Sequence, residues 1–173
     1  MGWSYDKIKK YHTMLTTKLI EFLSLDEQTT NTWAKDKVPF YFDLNGNSKT
    51  FFDYHGEVFD STEYINDFLS GKISEDDIQE EFMDVLERCM KSGKTICLFM
   101  DDSVIGIDEI FKNKVPSNLV NPTKFMKEGL GKNKIPSEGF KFCCLVKRAP
   151  EEGKELYVGN KFDITQFSHI RVE

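Results

Sequence analysis

The chain has 173 residues, of which 39% are hydrophobic and 13% aromatic, and it carries a formal net charge of −6 with a pI of about 5.2. This composition, with fifteen phenylalanines, excludes a disordered chain and predicts a folded domain with a substantial core. The acidic balance argues against nucleic acid as a partner, because binding to a phosphate backbone needs clustered lysine and arginine.

Neither export nor membrane insertion is indicated by the sequence. The N-terminus lacks the apolar core of a signal peptide, and no run approaches the length of a membrane span. The cysteines at 89, 97, 143 and 144 form no CxxC motif, which makes them a poor disulfide framework and a poor zinc site. We interpret them as small buried residues of a reducing compartment, and we expect a cytoplasmic protein.

The N-terminal segment predicts an amphipathic helix over 4–25 and a polar linker over 26–37. Its apolar residues recur at intervals of three and four: Tyr5, Ile8, Tyr11, Leu15, Leu19, Phe22 and Leu23. Such a stripe packs on its own domain, which we favour, or on a partner protein. We therefore divide the chain into this helix with its linker, 1–37, and a domain over 38–173.

The next segment predicts two strands and a short helix. Residues 38–43 form an apolar run that ends in Asp43, and Asn45-Gly46 supplies a turn. Residues 49–59 contain four aromatic side chains and predict a second strand. Asp60, Ser61 and Thr62 can then cap a helix that continues to Leu69.

The middle of the chain carries the clearest pattern. Ser74 to Asp77 resembles a capping box, and apolar residues on one face predict a helix over 75–92. Gly93 is a natural helix stop, and 95–100 is an unbroken apolar run typical of a strand buried on both faces of a parallel sheet. Asp101 and Asp102 follow at the carboxyl end of this strand, where open α/β sheets bind ligands.

The remaining third of the chain alternates loops with short elements. In chain order we predict a possible short helix at 104–111, a loop between Pro116 and Pro122, one or two helical turns at 123–130, a strand at 140–147, a loop at 149–154, a turn or short helix at 163–167, and a strand at 169–172. Strands separated by helices predict an α/β fold with a mostly parallel sheet, flanking helices and a P-loop-NTPase-like order of elements.

The apolar run that ends in Asp101 and Asp102 resembles a Walker B strand, whose carboxylates hold Mg²⁺. Gly93-Lys94-Thr95 matches only the tail of the phosphate-loop pattern GxxxxGK[ST], and it leaves a helix to enter a strand. A phosphate loop has the reverse order, so that a helix N-terminus faces the phosphate. We therefore predict that the chain lacks a Walker A motif and does not hydrolyse nucleotides.

An alternative interpretation is a magnesium-dependent phosphatase of the haloacid dehalogenase type. In that interpretation Asp43 at the end of its strand is the nucleophile, and Asp101, Asp102 and Asp108 bind Mg²⁺. The second aspartate of that motif is replaced by Asn45, which cannot act as a general acid and base. A third possibility is a domain that binds a nucleotide without hydrolysing it.

Residues 38–173 resemble the degenerate AAA+ modules of axonemal dynein heavy chains that lack a phosphate loop. The similar stretches are the strand 38–43, the pair Phe51-Phe52, the step from helix to strand at 91–95, the strand start at 140–142, and the closing segment 164–172. The resemblance implies a non-catalytic NTPase-like fold that serves as a building block of a cilium or flagellum axoneme. It transfers no catalytic, cofactor-binding or metal-binding residue to this chain.

The leading hypothesis is accordingly a non-enzymatic interaction domain, or pseudoenzyme, in a larger intracellular assembly. We expect protein partners, which contact the N-terminal helix and the acidic strand ends at Asp43 and Asp101–Asp102. No cofactor is expected.

Overall fold

The computed structural model describes residues 4–11, 15–17, 37–100, 121–152 and 164–173. Several predictions lie outside these residues. They concern the second half of the N-terminal helix and most of the linker at 26–37, the acids Asp101, Asp102 and Asp108, the elements predicted over 104–120, the loop residues beyond 152, and Asp163.

Helices and strands alternate along most of the described chain. The helices are α1 (Tyr5–Tyr11), α2 (Asn47–His55), α3 (Thr62–Leu69), α4 (Glu75–Ser92) and α5 (Pro122–Glu128), with a 3-10 turn at Ile164–Gln166. The strands are β1 (Leu15–Thr17), β2 (Val38–Phe42), β3 (Gly56–Asp60), β4 (Thr95–Phe99), β5 (Lys141–Val146) and β6 (Phe167–Val172).

These strands form one six-stranded sheet in the order β1-β6-β2-β5-β4-β3. Every neighbouring pair is parallel. The predicted α/β class with a parallel sheet is therefore confirmed. Since all strands point the same way, their carboxyl ends meet at one edge of the sheet, and this edge includes Asp43 directly after β2.

The apolar runs of the sequence are continuous because the central strands are buried on both faces. In β4, Ile96 and Leu98 belong to the core on one face, and Cys97 and Phe99 to the core on the other. Helix α4 covers the first face with Ile78, Phe82 and Leu86, and α2 covers the second face with Phe51 and Phe52. Side chains of successive strand residues alternate between the faces, so a strand buried on both must be apolar throughout.

Helix α4 has the start and the end that its sequence predicts. The Ser74 hydroxyl accepts a hydrogen bond from the Asp77 backbone N–H, and the Asp77 carboxylate accepts one from the Ser74 backbone N–H. Gly93 ends the helix in the left-handed conformation, with φ 68° and ψ 23°. A capping box and a left-handed glycine are local signals, which explains why both ends were predicted correctly.

An ion pair joins α4 to the edge strand β3. The Arg88 guanidinium donates from Nε to both carboxylate oxygens of Glu57, at 3.1 and 3.2 Å, and from Nη2 to Oε2 at 2.6 Å. These hydrogen bonds, more than the charge of Arg88 itself, hold the pKa of Glu57 below its ordinary value. A carboxylate whose pKa is lowered by folding stabilises the folded state above its unfolded pKa, and this contribution is lost as the pH falls through the folded pKa.

We expect Arg88→Met to lower the free energy of unfolding at pH 7, and we expect the difference from the parent to vanish in acid once Glu57 is protonated in both proteins. Denaturant unfolding at neutral and at acid pH measures both values. Lys91→Met, one turn further along α4 at another exposed position, is the control. A difference that persists unchanged in acid would assign the effect of Arg88 to packing of its side chain and not to the ion pair.

The helix predicted over 4–25 is confirmed at Tyr5–Tyr11 and is wrong at Leu15–Thr17, and its remaining residues lie outside those that the structure describes. Residues Leu15–Thr17 form β1, which pairs with β6 in the register Leu15 to Ile170 and Thr17 to Val172. Thr16 and Thr17 are β-branched and suit a strand, and the partner strand lies at the far end of the chain, beyond the reach of a local pattern. Ile8 of α1 is only 1% exposed and lies in the main core, as expected for a helix that packs on its own domain. The boundary placed at residue 37 stays a prediction.

The strand predicted over 49–59 is also wrong for most of its length. Residues Asn47–His55 form α2, and only Gly56–Asp60 is a strand. A Cβ on Gly56 would lie 2.3 Å from the carbonyl oxygen of Thr95, so glycine is what allows β3 to approach β4 so closely at this point. The chain after β2 therefore runs from a strand through a tight loop into a helix.

Candidate functional site

The loop at 43–48 joins the carboxyl end of β2 to the start of α2. Its first residue, Asp43, donates its backbone N–H to the carbonyl oxygen of Val146 at 3.0 Å, which ties the loop to the end of β5. Gly46 donates its N–H to the carbonyl oxygen of Asp43 and has φ +73°, a conformation that side chains with a Cβ rarely adopt. The side chain of Lys147 packs against Gly46, and a Cβ at position 46 would lie 3.1 Å from the Lys147 Cδ.

The Asp43 carboxylate fills the centre of this loop. Its Oδ1 accepts hydrogen bonds from the backbone N–H groups of Asn45 and Gly46, at 3.1 and 3.0 Å. Its Oδ2 accepts from the backbone N–H and from the hydroxyl of Ser48, at 2.7 and 2.6 Å. Asp43 is only 2% exposed. The loop is therefore an anion-binding nest of backbone N–H groups, and the anion inside it is a side chain of the same loop.

Lys49, the next residue after the nest, is engaged by acids of its surroundings. Its ammonium lies 3.5 Å from a carboxylate oxygen of Asp53 and 3.7 Å from one of Asp60, the last residue of β3. The same ammonium stands 5.7 Å from the centre of the Phe99 ring at the end of β4. The positive charge is thus held towards the ends of β3 and β4.

The spacing of these residues follows the phosphate-loop pattern GxxxxGK[ST] at 43–50, with Asp43 and Ser48 at the two glycine positions and Lys49-Thr50 retained. The surrounding order of strand, loop and helix is the one that this motif requires. Sequence reasoning missed the match because it searched for glycines and predicted a strand over the residues that form α2. The signal was present, however: Lys-Thr follows an apolar strand at the correct interval.

The stretch Gly93-Lys94-Thr95 is confirmed as the end of a helix and the start of a strand. Its resemblance to the tail of a phosphate loop is therefore accidental. Gly93 is needed for the left-handed helix end, as described above.

The other acids predicted for a site, Asp101, Asp102 and Asp108, lie outside the described residues. The residue directly before Asp101 is Met100, which is 6% exposed and donates its backbone N–H to the carbonyl oxygen of Leu145. The strand that leads to Asp101 is β4, and β5 separates it from β2. Within the described residues, no group of three or more histidine, cysteine or acidic side chains is arranged to hold a metal ion.

Arg148 is a further polar residue at this edge that the sequence analysis did not single out. It follows β5 by two positions and is only 6% exposed. An arginine at the start of a loop has the hydropathy of an exposed residue, so no sequence pattern indicates that it is buried. A separate finding concerns membranes: none of the described helices is long and apolar enough to cross one.

The four cysteines are free and buried, as predicted. Cys97 and Cys143 are direct partners on β4 and β5. Cys144 lies in the core on the other face of the sheet, so Cys143 and Cys144 do point to opposite faces. Burial raises the pKa of Cys143 and Cys144 well above the ordinary value and that of Cys89 to about 11.

We expect all four thiols to be inert in the folded protein at pH 8, because burial keeps a reagent from their sulfur atoms and, at Cys89, Cys143 and Cys144, also disfavours the reactive thiolate. A coloured disulfide reagent should label them no faster than the protein unfolds, and all four should react at once in denaturant. Raising the pH from 7 to 9 should speed the labelling of the unfolded chain much more than that of the folded one. Rapid labelling of one thiol in the native state would reveal an accessible, activated cysteine instead.

No protein-family model, no curated protein and no solved structure matches the chain. The resemblance to axonemal dynein modules therefore stays a prediction that rests on the residues named above.

Proposed function

We propose that this chain is a non-catalytic, P-loop-like α/β domain that serves as a structural and interaction unit of a larger intracellular assembly. The observation that carries the proposal is the position of the Asp43 carboxylate, which accepts four hydrogen bonds from Asn45, Gly46 and Ser48 inside the loop at 43–48. Backbone N–H groups of such a loop bind phosphate in nucleotide hydrolases. Here their hydrogen-bonding capacity is used within the protein.

A nucleotide would have to displace this carboxylate in order to bind the loop. The displaced group would lose charge-assisted hydrogen bonds, each of which contributes on the order of 1.5–3 kcal/mol. Its negative charge would then lie near the negative phosphates, because Asp43 belongs to the same loop. Both effects oppose phosphate binding.

The engagement of Lys49 supports the same conclusion. In a phosphate loop this lysine reaches the β- and γ-phosphates. In this chain its ammonium is shared between Asp53 and Asp60. The cation that would attract a nucleotide is already partly neutralised.

The sheet supports the structural half of the proposal. Six parallel strands with α4 on one face and α2 on the other form an α/β architecture. This observation bears on architecture and not on chemistry. The location in a cilium or flagellum axoneme is part of the proposal and rests on the dynein resemblance alone.

The same geometry counts against the phosphatase alternative. A nucleophilic carboxylate must present an oxygen lone pair to phosphorus, whereas each oxygen of Asp43 is held by two donors inside the protein. For partner proteins, the surfaces we propose are the exposed side of α1, which carries Lys9 and Lys10, and the carboxyl edge of the sheet. Asp43, predicted as a contact residue at this edge, is only 2% exposed and is therefore not part of that surface.

The test is calorimetric titration of the chain with ATP and with GTP in the presence of Mg²⁺, with and without beryllium fluoride, together with an assay of phosphate release. We expect no phosphate release and no binding that depends on the loop at 43–48. Heat with Mg²⁺ and beryllium fluoride that disappears in Asp43→Asn would instead establish phosphoryl transfer by Asp43. Nucleotide binding that disappears in Lys49→Met, without turnover, would establish a nucleotide-binding domain.

A further inference from the structure

A second polar feature lies at the opposite end of the sheet from Asp43. It is a cavity of about 540 Å³ between the residue that precedes β2, the first turns of α5 and the 3-10 turn that precedes β6. Lys37 and Gln166, at the amino ends of β2 and β6, line it. The whole length of β2, about 16 Å at the usual rise per residue, separates this cavity from the loop at 43–48.

Positive charge surrounds this cavity although the chain as a whole is acidic. Lys37, Lys124 and Lys127 line it against a single acid, Glu128. Lys124 and Lys127 are three residues apart on α5 and therefore share one side of that helix. Among the described residues, no acid forms an ion pair with any of these three ammonium groups, whereas Lys49, Lys72 and Lys134 elsewhere each have at least one acidic partner.

The remaining lining residues are polar and short. They include Thr123, Thr165 and Gln166, whose side chains carry hydroxyl or amide groups. Over the described part of the chain, neither an aromatic nor an aliphatic side chain lines the cavity. Its described lining therefore offers no aromatic ring on which a nucleobase could stack and no branched aliphatic side chain against which a lipid tail could pack.

We propose that this cavity binds a hydrophilic, phosphate-bearing small molecule, such as a phosphorylated sugar or a polyphosphate, through Lys37, Lys124 and Lys127. Lysine ammonium groups are compact charges with three donors each, and they suit the tetrahedral oxygens of phosphate without the planar fork that arginine offers to carboxylates. The volume falls in the range of small-molecule sites, roughly 300–1,000 Å³. The site does not depend on the loop at 43–48.

The experiment is calorimetric titration of the full chain with inorganic tripolyphosphate at low ionic strength. We expect saturable binding by the parent and at least about tenfold weaker binding by Lys124→Gln/Lys127→Gln, since the loss of one charged hydrogen bond corresponds to about this factor. The control is Lys91→Gln/Lys132→Gln, which removes the same charge from two exposed lysines outside the cavity and should change the affinity by no more than about twofold. Lys37→Gln, on a different element, should also weaken binding.

The ligand class is tested by comparing ATP with tripolyphosphate. Since the cavity has no platform for a base, we expect the two affinities to agree within about threefold. A much tighter complex with ATP would overturn the proposed ligand class. No heat with the parent, equal losses in both double variants, or binding that survives the change of Lys124 and Lys127 would overturn the site itself.

Discussion

Replacing Asp43 by alanine is expected to lower the free energy of unfolding by about 3 kcal/mol or more, a large effect for a residue in a loop. The substitution removes the acceptor of four hydrogen bonds, which come from the backbone N–H groups of Asn45, Gly46 and Ser48 and from the Ser48 hydroxyl. Ser48 is 0% exposed, so its two donors lose their acceptor where water does not replace it, whereas Asn45 is exposed and Gly46 keeps the carbonyl oxygen of Asp43. Urea unfolding measured by circular dichroism gives the value.

Asparagine at position 43 should be costly as well, although it has the shape of aspartate. Each carboxylate oxygen faces backbone N–H donors, so either orientation of the amide places its NH₂ group against another donor. We expect a loss of about 2 kcal/mol for Asp43→Asn. The control is Asp53→Ala, which removes a half-exposed carboxylate near Lys49 and should cost less than about 1 kcal/mol. Equal losses at positions 43 and 53 would show that the nest does not organise the loop.

Anion rescue tests whether the carboxylate occupies a phosphate position. In Asp43→Ala the N–H groups of the loop are vacant, so sulfate or phosphate should bind there and restore part of the lost stability. Sulfate and phosphate also stabilise folded proteins in general. Phe82→Ala, a core variant with an expected cost of about 3–5 kcal/mol, therefore measures the general effect. A gain no larger in Asp43→Ala than in Phe82→Ala would contradict the assignment of a phosphate position.

The elements that the sequence predicts well are those with local causes. Helix α4 carries its own capping box, apolar face and terminal glycine, and β4 and β5 are unbroken apolar runs. Their boundaries agree with prediction to within one or two residues. Their placement in a parallel sheet follows from the alternation of helices and strands.

Helix α2 was not predictable in this way because contacts distant in sequence decide its conformation. Phe51 and Phe52 have a high strand propensity, yet as helix residues they pack beneath the sheet beside Tyr41, whose ring centre is 5.9 Å from that of Phe52. The loop before α2 is set by the Asp43 carboxylate, which orders the backbone of Ser48 five residues later. Tertiary packing here overrides local preference.

The candidate site was therefore only half predicted. Asp43 was correctly predicted to lie at the end of a strand. Its predicted role, however, came from the motif of an acidic strand end and did not take the loop at 43–48 into account. The cavity lined by Lys37, Lys124 and Lys127 could not be predicted at all. Lys37 is more than eighty residues before Lys124 and Lys127 along the chain, and it meets them only because the fold places the start of β2 beside α5.

Gly93→Ala is expected to lower the free energy of unfolding by about 3 kcal/mol or more, from two causes. The left-handed conformation at φ 68° costs a residue with a Cβ about 1–2 kcal/mol. In addition, the new Cβ would lie 2.3 Å from the carbonyl oxygen of Glu138, a contact that forces the backbone to move. The turn that would move also caps α4, since Ser137 donates its backbone N–H to the carbonyl oxygen of Met90 and its hydroxyl to that of Lys91.

Gly71→Ala separates these two causes. Gly71 has the similar φ of +73°, but nothing lies within 4 Å of its hypothetical Cβ. We expect Gly71→Ala to cost only the conformational part, about 1–2 kcal/mol, and the difference between the two variants to measure the clash with Glu138. Thermal or urea unfolding of both variants decides the matter. If the two variants lose the same free energy of unfolding, the turn at 137–139 moves away from the new Cβ without measurable cost. Glycine would then be required at position 93 for its backbone conformation alone.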